Sequence, residues 1–380
     1  MTVQSLVPKA QFLGGDERAY LYTAGEGLVP RTALDATHRY FGDKVRAGDG
    51  RSAQAEVERA CRDALARLMG VDVAGDDIAL LGSTSEAINA VYALIDWQAG
   101  DNLVTVTNDL EFPSVVLPAA RMTQSGQAVE VRVVEHHDWI VEPADIAALV
   151  DDRTRLVTFS HVSYRTGLRH DLEAISALVR KRNPRAIVAV DATQSLDVVH
   201  VPARFCDFVI VTSCKWLLAP HGLGVLYWNR DRLPDVEPAS VGWWSVVDDL
   251  HFPYELKPTA SRFELGGPNL LSIYALLEGV NLLLETGIER IEEHVVTLGS
   301  RLLAALRPLG LPIMTPDDPR QRAGIVAWLD PDAPATAAAL AEQGIFVTGS
   351  SGRIRAGMHL YNDDSDVDRL ASAMSDIAHR

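Results

Sequence analysis

The chain has 380 residues, 47% of them hydrophobic and 23% charged, which is the composition of a folded globular protein long enough for more than one domain. Its 51 acidic residues outnumber its 35 basic residues, and the net charge of −16 argues against a nucleic acid or an anionic membrane surface as partner. No apolar run is long enough to cross a bilayer, and the three cysteines form neither a disulfide framework nor a metal-binding spacing. We therefore predict a cytoplasmic protein without a metal site.

The first part of the chain alternates predicted helices and strands. After an irregular segment, apolar spacing predicts a helix over 53–69, and apolar runs predict strands in DDIALLG, in NLVTVT, at 129–135 and from RLVTFS onward. Behind the first strand, Ser83, Thr84, Ser85 and Glu86 predict a helix start, where unpaired backbone N–H groups could hold a phosphate. Most helix starts carry such residues without binding phosphate, so this stretch alone leaves both interpretations open.

The centre of the chain predicts two neighbouring buried strands. The apolar runs at 186–190 and 208–211 are followed by Asp191 and by Thr212, Ser213 and Lys215, respectively. Ligands of open α/β sheets bind outside the carboxyl ends of the strands, so the acid and the lysine should meet there. Together they suit a pyridine aldehyde: the carboxylate keeps the ring nitrogen protonated and the amine condenses with the aldehyde.

From about residue 271 the pattern becomes helical. It leads into predicted strands in GIVAWL and GIFVTG, with a helix in ATAAALAEQG that a glycine ends. We predict an N-terminal segment over 1–20, a large domain over 21–275 and a small C-terminal domain over 276–380.

Several motifs resemble those of the class V aminotransferases, a pyridoxal-phosphate family that includes cysteine desulfurases, isopenicillin N epimerase-like proteins and kynureninases. The resemblance runs from about Tyr20 to Leu370 and is clearest in D-x-x-Q (Asp191 to Gln194), in Lys215 with Trp216, and in P-x-G-x-G-x-L-Y from Pro220. It implies an α/β fold of type I, with a large, mostly parallel, seven-stranded-type sheet and a smaller C-terminal α+β domain. It also implies a homodimer with shared active sites.

The resemblance implies a role for each matching residue. Lys215 is the catalytic lysine that bonds to pyridoxal phosphate, and Arg355 clamps the substrate carboxylate through its two parallel N–H donors. Tyr164 and Ala24 lie close to the substrate. Trp243 and Gly267 reach the cofactor of the partner subunit, although Gly267 replaces a threonine and offers backbone only. The remaining cofactor contacts are Thr84 and Ser85 at the phosphate, Phe112 stacked on the ring, Asp191, Gln194 and Thr212.

One departure from the family bears on the reaction. Cysteine desulfurases carry a nucleophilic cysteine between the G-I-x-V strand and the R-x-S segment, and GIFVTGSSGRIRAG contains none. A second departure is Cys214, which replaces the usual histidine before the lysine and is a weaker hydrogen-bond donor. From the missing nucleophile, the sequence predicts that the protein is not a cysteine desulfurase.

The predicted function is that of a lyase in a biosynthetic pathway, cleaving the Cβ–S bond of a cysteine S-conjugate. The alternatives are an amino-acid epimerase or aminotransferase, or an enzyme of decarboxylation or deamination, because all of these begin with proton removal or bond cleavage at Cα. A non-catalytic cofactor-binding regulator is disfavoured because Lys215 is intact and no DNA-binding segment is found.

Overall fold

A seven-stranded sheet forms the centre of the computed structural model, which describes residues 2–16, 18–107, 109–126, 128–248 and 252–378. The strand order is β2-β8-β7-β6-β5-β3-β4, and every strand runs in the same direction except β8. Numbered along the chain, the strands are β1 Ala19–Tyr20, β2 Ile78–Leu81, β3 Asn102–Val106, β4 Glu130–Val134, β5 Thr154–Ser160, β6 Ile187–Asp191, β7 Phe208–Thr212, β8 Gly224–Trp228, β9 Ile325–Leu329, β10 Ile345–Phe346, β11 Thr348–Ser350 and β12 Arg353–Gly357.

Helices cover the sheet, and this is why its inner strands read as continuous apolar runs rather than as alternating ones. Strands β2, β3 and β8 are buried at every position, and their side chains feed two apolar clusters. The helices are α1 Thr32–Lys44, α2 Ala47–Met69, α3 Thr84–Ala93, α4 Pro113–Gln124, α5 Pro143–Ala148, α6 Leu172–Arg182, α7 Leu270–Thr286, α8 Ile288–Leu306, α9 Ala333–Ala341 and α10 Asp364–Ala378.

The C-terminal part has a core of its own. Strands β11, β12 and β9 form an antiparallel sheet, and Trp328, Leu302 and Leu370 belong to a separate apolar cluster beneath it. The N-terminal strand β1 joins this part by pairing in parallel with β10, Ala19 opposite Ile345. The predicted limit at 275/276 falls within α7, and the domain bounds stay a prediction.

Within the described residues, no single helix is long and apolar enough to cross a membrane. The segments Leu270–Thr286 and Ile288–Leu309 reach the required length and composition only when they are taken together, and they are bent by 82° relative to each other.

One edge of the large sheet collects the ends of its central strands. Ser160 at the end of β5 lies opposite Asp191 at the end of β6, and Thr212 at the end of β7 pairs with Gly224 at the start of β8. Leu81 at the end of β2 also pairs with Gly224. Residues that follow these strands are therefore delivered to a common place, as the sequence predicts for Asp191 and Lys215.

Candidate active site

A cavity of about 230 Å³ lies at this edge of the sheet. Its wall is built from the turns after β2, β3, β5, β6 and β7, so residues far apart in sequence face one another across it. Unpredicted members of the wall are mostly small and polar, among them Ser160, Thr193 and Cys214. The cavity is lined by eight of the predicted site residues: Thr84, Ser85, Phe112, Tyr164, Asp191, Gln194, Thr212 and Lys215.

Lys215 is half-buried, and its amine lies 5.2 Å from the centre of the Phe112 ring. Desolvation of the amine and the nearby positive charge of Arg355 together lower the pKa of Lys215 to about 8, against the opposing effect of Asp191. The turn that carries the lysine is held from outside by Gly27, whose N–H donates to the Cys214 carbonyl over 3.0 Å. A Cβ at position 27 would lie 1.9 Å from the Lys215 carbonyl oxygen, so only glycine allows this approach.

Asp191 is buried at the end of β6, and burial raises the pKa of its carboxyl group. The Thr193 N–H donates to its Oδ1 over 2.8 Å, and this bond together with Lys215 favours the charged form. A protonated ring nitrogen beside this carboxylate would favour the charged form in the same way. Gln194 is fixed from two sides, since its Nε2 donates to the Ala24 carbonyl over 3.0 Å and its Oε1 accepts from the Trp216 indole over 2.8 Å.

The start of α3 has the features of an anion site. Ser83 is the residue that caps the helix, its Oγ accepting from the Glu86 N–H over 3.1 Å. The Thr84 hydroxyl is buried without a partner among the described residues, and the Ser85 hydroxyl contacts that of Ser114 at 2.7 Å. An unpartnered hydroxyl beside the free N–H groups of a helix start fits the phosphate of the predicted cofactor. Gly224 is required here, because a Cβ there would lie 2.3 Å from the backbone of Ser83.

Two aromatic rings lie at the mouth of the cavity. Phe112 remains 38% exposed, which leaves its ring accessible to a stacked partner, and its centre is 5.2 Å from that of Tyr164 in an edge-to-face arrangement. Ala24 is buried beside this region and contributes its backbone, to which Gln194 donates.

Arg355 does not line the cavity but lies directly behind Tyr164. It is buried on β12, where Nη1 donates to the Tyr164 carbonyl and Nη2 donates to the Thr348 hydroxyl over 3.3 Å. Its Nε has no partner among the described residues. Burial and the adjacent Arg353 together lower the pKa of Arg355 to about 10.

Trp243 and Gly267 lie outside the cavity of the single chain. Trp243 is 53% exposed, and its ring reaches within 3.8 Å of where a Cβ on Gly267 would be. The two residues therefore belong to one surface patch. Their contact with the cofactor of a partner subunit stays a prediction.

Sequence reasoning overlooked a buried carboxyl group beneath the site. Both oxygens of Glu111 accept from Ser160, from its N–H over 2.8 Å and from its hydroxyl over 2.5 Å. Burial raises the pKa of Glu111 to about 8, against these hydrogen bonds and with a further contribution from Asp191. Its position next to Phe112 in E-F-P-S, in the turn that follows β3, was the available signal.

We expect the cofactor-free protein to take up pyridoxal phosphate faster as the pH rises through about 8, the pKa of Lys215. Only the neutral amine attacks an aldehyde, so uptake should be slow below this pH and level off above it. Replacing Arg355 by Gln removes a positive neighbour and should move the midpoint to higher pH. The growth of the visible absorbance band of the bound cofactor measures the rate. A rate that does not change from neutral to alkaline pH would contradict the assignment.

Comparison with known proteins bears on the fold and on the reaction. A probable cysteine desulfurase of Methanothermobacter thermautotrophicus is 29% identical in an alignment that covers 95% of each chain. The apo cysteine desulfurase of Thermococcus onnurineus NA1 superposes with a TM-score of 0.88 at 24% identity, over 98% of this chain and 97% of that one. The cystine C-S lyase C-DES, in complex with its product cysteine persulfide, superposes with a TM-score of 0.87 at 24% identity, over 96% of this chain and 99% of that one. The predicted fold is confirmed.

The predicted function is contradicted by these comparisons. Relatives that match nearly the whole chain carry the name of cysteine desulfurase, so the exclusion of that activity is wrong. Its physical basis was too narrow, because a missing cysteine in one turn excludes one sulfur acceptor and does not exclude cleavage of the carbon–sulfur bond. The separate assignment to cysteine S-conjugates, with its epimerase and aminotransferase alternatives, falls with it.

The family itself is shown by the match of a family model. The model described as "Aminotransferase class-V" matches residues 19–370, and this range contains every predicted site residue. The cavity supplies a half-buried lysine, a buried acid at a strand end and an unpartnered hydroxyl at a helix start, which are the groups that this cofactor needs. The chain belongs to the class-V aminotransferase family of pyridoxal-phosphate enzymes.

Proposed function

We propose that this enzyme is a cysteine desulfurase, which converts L-cysteine to L-alanine and passes the sulfur to a thiol. The observation that carries the proposal is that Lys215, with a pKa of about 8, lines the same cavity as Tyr164, whose carbonyl accepts from the buried Arg355. A base and a carboxylate clamp that adjoin the same residue suit a small amino acid. The names of the relatives, which span 95% of the chain, supply the reaction.

The residues would divide the work as follows. Pyridoxal phosphate, when bound, withdraws electrons from Cα of the amino acid. Lys215 would remove the proton at Cα and return one to the product, while Arg355 would hold the α-carboxylate. Asp191 would keep the ring nitrogen charged, and Phe112 would restrict the tilt of the ring. We assign the phosphate to Thr84 and Ser85, with Gln194 and Thr212 completing the contacts around the ring.

We assign the sulfur acceptor to an external thiol. The three cysteines, Cys61, Cys206 and Cys214, are free and buried, and burial raises the pKa of the first two thiols. In the overall reaction the Cβ–S bond of L-cysteine breaks, a proton replaces the sulfur, and the sulfur bonds to the acceptor. L-cysteine and R–SH thereby give L-alanine and R–S–SH, and no oxidant is consumed. Free cysteines also support a reducing, cytoplasmic location.

The test is to incubate the cofactor-loaded enzyme with L-cysteine, with and without an added thiol. We expect L-alanine in amounts equal to the persulfide sulfur released, and strong dependence on the added thiol. Pyruvate and ammonia in place of alanine would overturn the desulfurase assignment. A single equivalent of alanine without thiol, abolished by Cys214→Ser, would overturn the external acceptor.

We also propose a homodimer. The segment before α7 forms an apolar surface next to the site. We expect a second copy of the chain to pack against this surface, because burying large exposed apolar side chains stabilises association. The patch also contains the predicted cross-subunit residues. Its exposed members among the described residues are Val241, Trp243, Val247, Phe252, Tyr254 and Leu265.

A charge in this patch should separate the subunits. We expect Trp243→Glu to shift the mass measured by light scattering from two chains to one and to weaken cofactor retention. The matched control is Val71→Glu, at a 99% exposed apolar residue outside the patch, which should leave the mass unchanged. A monomeric wild-type enzyme that retains full activity would contradict the dimer.

A further inference from the structure

Three arginines surround the ring of Tyr164. The guanidinium carbons of Arg165, Arg353 and Arg355 lie 5.5, 5.2 and 5.7 Å from the ring centre. We call these three residues the arginine cluster. Arg353 and Arg355 are two positions apart on β12, so their side chains leave the strand on the same face.

None of the three forms an ion pair with any carboxylate of the described residues, although the chain carries sixteen more acidic than basic side chains. Arg353 is 4% exposed, and its Nε and Nη1 have no hydrogen-bond partner within the same residues. Arg165 donates only to the Tyr164 hydroxyl, over 3.1 Å. A buried cation without a counter-charge is costly, so an arrangement of this kind fits an anionic ligand.

The cluster adjoins the reacting centre. Tyr164 lines the cavity together with Lys215, and the charge of Arg355 depresses the pKa of that lysine. The α-carboxylate of the amino acid is assigned to Arg355. The cofactor phosphate is assigned to the start of α3, which contributes none of the arginines. Arg165 and Arg353 therefore remain without an assigned anion.

The position of Arg353 in the chain indicates which anion this is. Cysteine desulfurases carry their acceptor cysteine between the segments that correspond to β10 and β12. Here β11 and β12 are joined by Ser351 and Gly352 alone, both with positive φ, in a hairpin whose register pairs Ser350 with Arg353. At the point where a protein thiol would be delivered, the chain presents a guanidinium that contacts Tyr164 and has no carboxylate partner among the described residues.

We propose that Arg165 and Arg353 bind the carboxylate of a small acidic thiol, which is the sulfur acceptor of this enzyme. The proposal rests on the proposed function, since it names the partner of that same reaction. The arginine cluster would hold the carboxylate of the acceptor while the thiolate of the acceptor attacks the sulfur of L-cysteine. The Cβ–S bond breaks, an S–S bond forms, and the proton lost by the acceptor thiol balances the one gained at Cβ.

The experiment compares two acceptors that differ by one charge, mercaptoacetate and mercaptoacetamide. Alanine formation from L-cysteine gives kcat/KM for each thiol in the wild-type enzyme and in Arg353→Gln and Arg165→Gln. For each enzyme, kcat/KM for mercaptoacetate is divided by kcat/KM for mercaptoacetamide. Intrinsic differences between the two thiols cancel when this ratio for the variant is divided by the same ratio for the wild type. We expect either variant to reduce the preference for mercaptoacetate roughly ten- to hundredfold, the range for a hydrogen bond to a charged group. Arg353→Lys should restore part of it, and Arg320→Gln, at an exposed arginine elsewhere, should change nothing.

Other outcomes would overturn the proposal. If Arg353→Gln lowers kcat/KM for L-cysteine and leaves the thiol ratio unchanged, the cluster holds the amino acid instead. If it weakens retention of pyridoxal phosphate or the dimer, the missing anion is the cofactor phosphate or a partner carboxylate. Calorimetric binding of mercaptoacetate to the cofactor-loaded enzyme, without L-cysteine, tests the cluster even if no alanine ever forms. Equal affinity for the acid and the amide in that measurement would also sink the idea.

Discussion

Replacing Lys215 by Ala should reduce turnover of L-cysteine by about a thousandfold or more, because the variant loses the group that moves the proton at Cα. The visible absorbance band of lysine-bound pyridoxal phosphate should disappear as well. The cavity otherwise keeps its wall, so we expect the cofactor to remain bound through the start of α3, only more weakly. Absorbance spectra of the purified protein and alanine production report the two effects separately.

Lys181→Ala is the matched control for this variant. Lys181 lies in the last turn of α6, exposed and outside the cavity, and its loss should leave both the spectrum and the turnover unchanged. Full turnover by Lys215→Ala would contradict every enzymatic role assigned to this site. Reduction with hydride followed by peptide mass analysis should place the cofactor on Lys215 in the wild type and on no residue in the variant.

Replacing Glu264 by Ala should destabilise the protein by about 3 kcal/mol, the lower end for a broken buried ion pair, because Arg62 then keeps only its ion pair with Glu58, over 2.5 Å. Glu264 accepts from both terminal nitrogens of Arg62, over 2.7 and 3.0 Å, and from the Leu80 N–H over 2.6 Å. Burial raises the pKa of Glu264 although Arg62 opposes this shift. The network ties α2 to β2 and to the loop before α7, and urea unfolding measures its loss.

A double variant separates the pair from its parts. In Arg62→Met with Glu264→Leu both charges are gone, and the loss of stability should be clearly smaller than in Glu264→Ala, since no buried guanidinium is left without the Glu264 carboxylate. Arg320→Ala, which removes an exposed ion pair, should not shift the urea midpoint measurably. A double variant as unstable as the single one would show that packing, and not charge, makes Glu264 important.

Apolar runs predicted the sheet well because its inner strands are buried on both faces. The run at 208–211 became β7 with one more residue, and the runs at 186–190 and 129–135 became β6 and β4 with shifted ends. Helix α2 begins at Ala47, whereas the prediction began at 53. The first turns of the helix were missed because they are largely exposed and show no apolar period. GIFVTG predicted one strand and holds two, because β10 pairs with β1 and β11 pairs with β12. The division depends on the pairing of β10 with a strand more than 300 residues away, which no local pattern reveals.

The candidate site was predicted from residues at strand ends. The site residues that were not predicted are recognised only by their burial and contacts in the folded chain. Eight predicted residues line one cavity because parallel strands deliver their carboxyl ends to one edge. Glu111 and Arg165 look like ordinary charged residues in the sequence, and Arg353 is only a weaker candidate than Arg355 for the substrate carboxylate. Its burial and the lack of a partner for its Nε and Nη1 distinguish Arg353, and both are properties of the fold. The reaction was misjudged because the absence of a cysteine from one turn was taken to exclude cysteine desulfurase activity.

The pairing of the first strand with the end of the chain has a consequence for biosynthesis. Thr23, next to the site, bonds to Tyr361, which lies 338 residues later, and Tyr22 bridges to Gly357. At a ribosomal rate of about 5–20 residues per second, the N-terminal segment waits roughly 20 seconds to a minute for its partner. The segment that precedes Gly27 therefore gains its C-terminal contacts only when translation is almost finished. A nascent chain should consequently emerge without a finished cofactor site, and premature termination anywhere before the last strand should leave a polypeptide that cannot retain its cofactor.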